Sequence, residues 1–362
     1  MDVREVDEAA YPQSQGFLQS SFWARFKERF GWQAHFLSVA GAPVLVLTRS
    51  PAPGVSLGYV PHGPEDAALE AVNGAVAGLA ASIGTATRHA GGGRSLLLRF
   101  DLPQVRAAAG RAGRRAAVPD SDGGAGFGTG DEGPEVDLYG LVEAPVDVQP
   151  PSTVLVELSH SEDDILAAMK SKTRYNVRLA AKRGVTVRRA ENTQLDLWYK
   201  LYRETAERDR IAIHSLEYYR ALFEVAAADE HADLSLLFAE HEGDLLGGII
   251  VLRYGETATY LYGASSNAKR NLMAPYALQW EAMRGAKAGG ALRYDLFGVP
   301  PADDPSHPMH GLYRFKTGFG GEVVHRLGAW DYPVSHLGYP VYRRAEILRN
   351  LYYKRFKKRS AR

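Results

Sequence analysis

The segment from Tyr260 to Gly321 constrains the fold of this chain more than any other. It opens on TATYLYGAS, a β-branched and aromatic run that predicts a strand. A helix started by Pro275 and running to Ala288 follows, since proline fits the first helical turn. A second strand, ALRYDLFG, comes next, then a short Pro/Asp/His loop, then GLYRFKTGFGG, in which Lys316 sits near three glycines. Strand, helix and strand in this order predict an α/β unit.

The first half of the chain shows the same order. APVLVLTR predicts a strand, LGYVPHGP a second strand ending in a turn, Ala67 to Ile83 one Ala-rich helix, and RSLLLRFD a third strand. In the second half GGIIVLRY supplies the strand that precedes TATYLYGAS. The match in order and spacing predicts a duplicated α/β unit; chance similarity of two generic α/β patterns is the alternative. A length of 362 residues suits two domains. Pro150 and Pro151 stiffen a connector into a strand at Thr153 to Leu158, which puts the boundary near residue 150. The expected domains are therefore 1–150 and 151–330. Residues 107–135, rich in Gly, Ala and charge without an apolar period, predict a mobile loop. The segment from about Asp331 returns to complete the first domain.

Composition excludes several chemistries. There is no cysteine, hence no disulfide, thiolate zinc site or cysteine nucleophile. His307, His310, His325 and His336 are scattered without metal-ligand spacing, so no metal and no cofactor are expected. No P-loop or dinucleotide fingerprint occurs, and GGGRS at 91–95 precedes a strand, which suits a turn. A net charge of +1 argues against a uniformly basic nucleic-acid coat. MDVREVDEAA is unlike a signal peptide, and no run approaches the roughly 18 apolar residues of a membrane span. The expectation is a cytoplasmic protein whose membrane contact, if any, is peripheral at the inner face.

HSEDDILAAMKSKTRYNVRLAAKRGVTVRR predicts one helix. Ser161 with Asp164 forms a capping box, and Gly184 stops the helix. Lys170, Arg174, Arg178 and Lys182 then share one face, where like charges repel by a few tenths of a kcal/mol per pair. That stripe fits a tRNA or phosphate partner; a plain solvated face is the alternative. The tail YRRAEILRNLYYKRFKKRSAR mixes basic and aromatic residues. It fits tRNA, an anionic membrane, or a solvated tail.

The strand–helix–strand order of 260–321 is similar to that of acetyl-CoA-dependent acyltransferases. Those enzymes cradle pyrophosphate on a glycine-rich loop at the helix start. SSNAKRNLMAP supplies no such loop, so the expected chemistry is acyl transfer from another donor, with an acyl-CoA N-acyltransferase as the alternative.

Six blocks in order carry a closer resemblance: FLQSSFWARFKERFGW, GYVPHGP, MKSKTRYNVRLAAKRGV, SLEYYRAL, LYGASS with NLMAPYALQWEAMRGAKAGGALRYDLFGV, and YRFKTGFGG. Together they resemble the FemABX family of peptidoglycan interpeptide-bridge aminoacyltransferases, in a compact form, since no long heptad hairpin for a coiled-coil arm is present. The resemblance implies α/β (α+β) architecture, with two tandem acetyltransferase-like (GNAT-type) domains of mixed sheets flanked by helices. It implies transfer of an amino acid from aminoacyl-tRNA to an amine of a peptidoglycan precursor, either UDP-MurNAc-peptide or lipid II, by a monomer. A non-catalytic paralogue that binds tRNA or envelope precursor is a further alternative.

Residue roles follow from the matching blocks. Lys316 stabilises the oxyanion of the tetrahedral intermediate and the departing ribose oxygen. Phe315 packs beside the tRNA 3′ adenosine. The resemblance implies that Lys27, with Trp23 nearby, holds precursor phosphate, a surface lysine on an amphipathic helix being the alternative; Tyr218, Tyr219 and Tyr262 join it, with core aromatics the alternative for Tyr218 and Tyr219. His214 stands where the family has arginine, and Arg210, one turn earlier if the stretch is helical, is a substitute. No general base stands out. Asp101 and Asp295 are carboxylates at corresponding strand ends; Asp101 is the candidate to orient or accept a proton, and Asp295 suits a structural carboxylate bonded to backbone amides.

Overall fold

The computed structural model describes residues 2–86, 94–106 and 136–357. The expected loop at 107–135, the start of GGGRS and the end of the basic tail lie outside these residues. Along the chain the elements are β1 (Val3–Glu5), α1 (Ser21–Glu28), β2 (Gln33–Val39), β3 (Ala42–Ala52), β4 (Val55–Val60), α2 (Asp66–Glu70), α3 (Val76–Ala86), β5 (Arg94–Val105), β6 (Val142–Glu143), β7 (Ser152–Glu157), α4 (Glu162–Ala168), α5 (Ser171–Lys182), β8 (Thr186–Ala190), α6 (Leu195–Asp209), α7 (Leu216–Ala227), β9 (Ala232–His241), β10 (Asp244–Tyr254), β11 (Thr257–Ser265), α8 (Ala274–Ala288), β12 (Arg293–Asp295), α9 (His310–Lys316), β13 (Glu322–Pro333) and α10 (Gly338–Lys357).

They form two compact units. One comprises Met1–Pro12, His35–Pro151 and His325–Arg362; the other comprises Gln13–Ala34 and Ser152–Val324. Both are mixed α/β. In the first unit the strand order is β1-β2-β3-β4-β5-β13, with β6 on β13. In the second it is β7-β12-β11-β10-β9-β8. Each contains an antiparallel hairpin whose second strand leads through helix into a parallel neighbour: β3–β4 then β5, and β10–β11 then β12. A parallel pair needs such a crossover, so the repeated sequence order appears as a repeated topology. The first core gathers Leu37, Val44, Val60, Leu79 and Phe100; the second gathers Val156, Ile249, Leu278, Tyr294 and Phe319.

Three expectations need correction. The Ala-rich stretch from Ala67 to Ile83 is two helices, because Asn73 and Gly74 are left-handed (φ 52° and 75°) and turn the chain between α2 and α3. The basic segment is also two helices. Ser161 caps α4 as expected, accepting the Asp164 N–H at 3.2 Å. The helix then ends at Met169, whose backbone is extended, and restarts after Lys170. The break makes room for the strand of chain after Lys316: the Lys170 N–H donates to Gly318 O at 2.9 Å, and a Cβ at Gly320 would collide with the Ala168 carbonyl. Finally, residues 13–34 belong to the second unit rather than the first. The amphipathic α1 buries Phe22, Trp23 and Phe26, places Phe26 edge-on against Tyr218 at 4.8 Å, and pairs Arg25 with Asp229 and Arg29 with Glu224.

Candidate active site

Lys316 is the last residue of α9 and is buried. Its Nζ donates to Phe297 O at 2.8 Å and Gly298 O at 2.9 Å and lies 5.3 Å from the centre of the Tyr260 ring. The two carbonyls converge because Phe297 adopts a left-handed conformation (φ 56°), uncommon for an aromatic residue. Asp295, at the end of β12, fixes that turn. Its Oδ1 accepts the Phe297 N–H at 2.7 Å and the Thr153 hydroxyl. Burial pulls the Lys316 ammonium down from 10.5 to about 7, while the nearby Asp295 charge pulls the other way. An ammonium here has three N–H groups and two carbonyl partners, so one remains for a ligand.

Phe315, beside Lys316, is half-buried. It meets Tyr276 and Phe319 edge-on at 5.1 and 5.2 Å. Phe315 and Tyr276 line a cavity of 360 Å³ at the start of α8, together with Ser265, Ser266, Lys269 and Arg270. Helix starts present unpaired N–H groups and favour anions. Lys269 is already paired with Glu242 and Asp244.

A second cluster lies in the same unit. Lys27 sits 5.5 Å from the Trp23 ring and 5.8 Å from the Trp32 ring. Trp23 Nε1 is buried with no hydrogen-bond partner among the described residues. The His214 ring stacks on Tyr218 at 3.8 Å. Its backbone is held at both ends: the N–H donates to Tyr219 Oη at 3.2 Å, and the carbonyl accepts from the Tyr199 hydroxyl at 3.0 Å. Partial burial lowers the imidazole pKa, and the Lys27 charge adds to the effect. Tyr262 bonds Tyr218 and meets Tyr219 edge-on at 5.1 Å. Burial pushes the phenols of Tyr218, Tyr219 and Tyr262 upward, so they stay neutral donors at physiological pH. The structure thus brings together Lys27, Trp23, His214, Tyr218, Tyr219 and Tyr262. Arg210 is placed otherwise: it is the exposed left-handed C-cap of α6, and residues 211–215 are not helical.

The basic stripe is divided. Lys170 Nζ donates to Thr317 Oγ1 at 3.3 Å. Arg174 Nη1 donates to the carbonyls of Ala167 (2.8 Å) and Met169 (3.1 Å), closing the end of α4. Lys170 thus touches the segment that follows Lys316 and Arg174 the end of α4, while Arg178 and Lys182 are exposed on α5. Asp101 lies in the first unit, buried on β5, where it accepts the Tyr59 hydroxyl. Burial raises its pKa to about 7.

A sequence model of the FemAB family matches residues 135–239 and 229–346. The chain belongs to the FemAB family. Among its relatives are the lipid II:glycine glycyltransferases of Staphylococcus epidermidis, 24% identical over 52% of this chain and 61% of that protein, and of Staphylococcus aureus, 24% identical over 55% and 62%. This FemAB-family chain thus spans about three fifths of the length of the relatives it matches. A crystal structure of FemX has the same fold, with a TM-score of 0.71 at 20% identity, covering 94% of this chain and 99% of that one.

Sequence reasoning missed Tyr260, Thr153 and the Phe297 turn. Tyr260 had a signal, because it stands two residues from Tyr262 on a strand that ends at the helix crossover. A left-handed phenylalanine has none, since residue type there argues against the conformation that forms.

Proposed function

We propose that this FemAB-family protein transfers an amino acid from aminoacyl-tRNA to an amine of a peptidoglycan stem peptide, extending a cross-bridge or branch. Lys316 carries the reading. Attack of the amine nitrogen on the ester carbonyl forms a C–N bond and an oxyanion; collapse breaks the C–O bond to the ribose, whose oxygen receives the proton lost by the amine. The uncommitted N–H of Lys316 stabilises the developing oxygen charge, and its two carbonyl bonds hold it in place beforehand. The ester is already activated, so positioning supplies much of the rate.

The 3′ adenosine stacks against Phe315 and Tyr276 in the 360 Å³ cavity, with its phosphates toward Arg270 and the start of α8. The precursor's phosphates meet Lys27 and His214, with Trp23 Nε1 as a further donor, and the neutral phenols of Tyr218, Tyr219 and Tyr262 line the path. Arg178 and Lys182 contact the tRNA backbone. Asp101 has no step in this scheme.

The test uses purified protein, a full panel of charged tRNAs carrying labelled amino acids, and soluble and lipid-linked precursors. Label should move to a muropeptide; no transfer across the panel refutes the proposal. Saturable acetyl-CoA binding by calorimetry would redirect it to acyl-CoA chemistry.

A further inference from the structure

The last helix of the first unit carries two opposed faces. One docks: Glu346 accepts two bonds from Arg99, at 3.0 and 2.8 Å, and the Tyr339 hydroxyl donates to Asp331 Oδ2 at 3.2 Å. Arg99 and Asp331 lie on β5 and β13, so α10 is fixed in rotation about its own axis.

The opposite face is apolar and open. Val341, Ala345, Leu348 and Tyr352 recur at steps of four, three and four, which on a helix makes one stripe. Val341, Leu348 and Tyr352 are 69%, 66% and 57% exposed, and Leu337, four residues before Val341, is 88% exposed. Exposed aliphatic side chains gathered in line mark an interaction surface. Arg344 and Arg349 flank the stripe, one on each side by helical register; Arg349 makes only a 3.9 Å approach to Glu346. Beyond Tyr352 the sequence adds Lys354, Arg355, Lys357, Lys358, Arg359 and Arg362, and no acidic residue follows Glu346.

We propose that this face of α10 docks on an anionic lipid bilayer, the helix lying in the headgroup plane with Leu337, Val341, Leu348 and Tyr352 turned toward the acyl boundary. An apolar stripe bordered by arginines is the pattern of an interfacial helix, and the basic residues complement anionic headgroups. Among the described residues no helix is long and apolar enough to cross a membrane; α10 lies on the surface instead. Two other occupants fit less well. RNA phosphates gain nothing from a row of aliphatic side chains. A second copy of the chain would bring Arg344 and Arg349 against their own counterparts, and like charges would repel. The inference rests on α10 alone and does not depend on the proposed transfer reaction.

The test is co-sedimentation of the full chain with vesicles of phosphatidylglycerol mixed with phosphatidylcholine, and of phosphatidylcholine alone. The wild-type protein should bind the anionic vesicles and bind less as salt rises. V341E/L348E should lower the partition coefficient at least about tenfold. R344Q/R349Q should lower it by about 25-fold and flatten the salt dependence, each cation near the surface being worth roughly fivefold. Both double variants change exposed positions and should keep the wild-type melting temperature. Failure of the wild-type protein to sediment, or equal binding by V341E/L348E, overturns the proposal. So does a dimer in light scattering that V341E/L348E dissociates, or charged-tRNA binding lost in V341E/L348E without loss of vesicle binding.

Discussion

Replacing Lys316 with methionine separates its proposed chemistry from its place in the fold. The side chain is buried, and its proton affinity falls from 10.5 to about 7. At about 1.4 kcal/mol per pH unit, the folded state is penalised by about 5 kcal/mol wherever the unfolded lysine stays charged and the folded one must too, below about pH 7. Methionine removes that penalty at similar volume, but leaves Phe297 O and Gly298 O without their donor, at about 1–3 kcal/mol each. At pH 6, K316M should therefore lie between about 1 kcal/mol less and 3 kcal/mol more stable than wild type. Between pH 7 and 10 the unfolded wild-type chain binds the proton that the folded chain has lost, so wild-type stability rises with pH. The comparison should then shift by about 4 kcal/mol in favour of wild type. Urea titrations of both proteins at pH 6, 7, 8.5 and 10 measure it. A difference that stays flat across the range means that the carbonyl bonds, not burial, set the proton affinity of Lys316. In transfer assays K316M should lose a factor of about 10² to 10³ in kcat, and wild-type kcat should decline on the alkaline side of about pH 7 as the ammonium is lost. Unchanged turnover in K316M removes Lys316 from the mechanism whatever the stability data show.

D295A should lower stability by about 2–4 kcal/mol, because it strands the Phe297 N–H and the Thr153 hydroxyl. It should also cut kcat more than it raises KM; an equal change in both would mean that Asp295 does not act through Lys316. R174A should lower the melting temperature by the equivalent of about 1–2 kcal/mol, since it uncaps α4. R178A/K182A should leave melting unchanged, weaken tRNA binding and reduce the magnitude of its salt slope by about 1.5; an unchanged slope would exclude both residues from the tRNA contact. The depressed pKa of His214 leaves it neutral above the usual histidine range. H214R should therefore lower the precursor KM about tenfold at pH 7.5, and an unchanged KM would rule out a charge effect.

The fold was legible where hydrophobic pattern and chain order dictate it. Both hairpin–helix–strand repeats, the Ser161 cap and the start of α8 follow from residue type and spacing. The two helix breaks were not, because their causes are remote or inconspicuous. Nothing near Met169 signals that Gly318 and Gly320 will press against it from some 150 residues away, and an Asn-Gly pair at 73–74 is easily read through in an alanine-rich run. The same remote contact misled the reading of the basic stripe. Charge at a regular spacing suggested one ligand-facing row, but Arg174 is half-buried and spends its guanidinium on the carbonyls at the end of α4, while Lys170, exposed but bonded to Thr317, precedes the helix that carries the exposed Arg178 and Lys182. The assignment of residues 13–34 failed for a related reason. An amphipathic helix shows which face it buries, not which core it joins, and the aromatic and ionic partners of α1 lie two hundred residues downstream.

That late joining has a consequence for the proposed site. Lys27 reaches the second unit on α1, His214 arrives on the loop before α7, and Lys316 closes α9, yet one strand touches both groups of residues. Tyr260 of β11 lies over Lys316, and Tyr262 of β11 contacts Tyr218 and Tyr219. Gly248 on the neighbouring β10 sets how closely the aromatic residues approach this sheet. The Trp198 Nε1–H donates to its carbonyl at 3.1 Å, and a Cβ there would come within 2.8 Å of Trp198 and 2.9 Å of Phe238. Trp198 in turn stacks on Tyr202 and meets Tyr219 edge-on. A site divided among three mobile segments would need each to be ordered separately. Here one sheet fixes the spacing between the Lys27–His214 cluster and Lys316, and sites held by packed strands keep geometry better than sites built on loops.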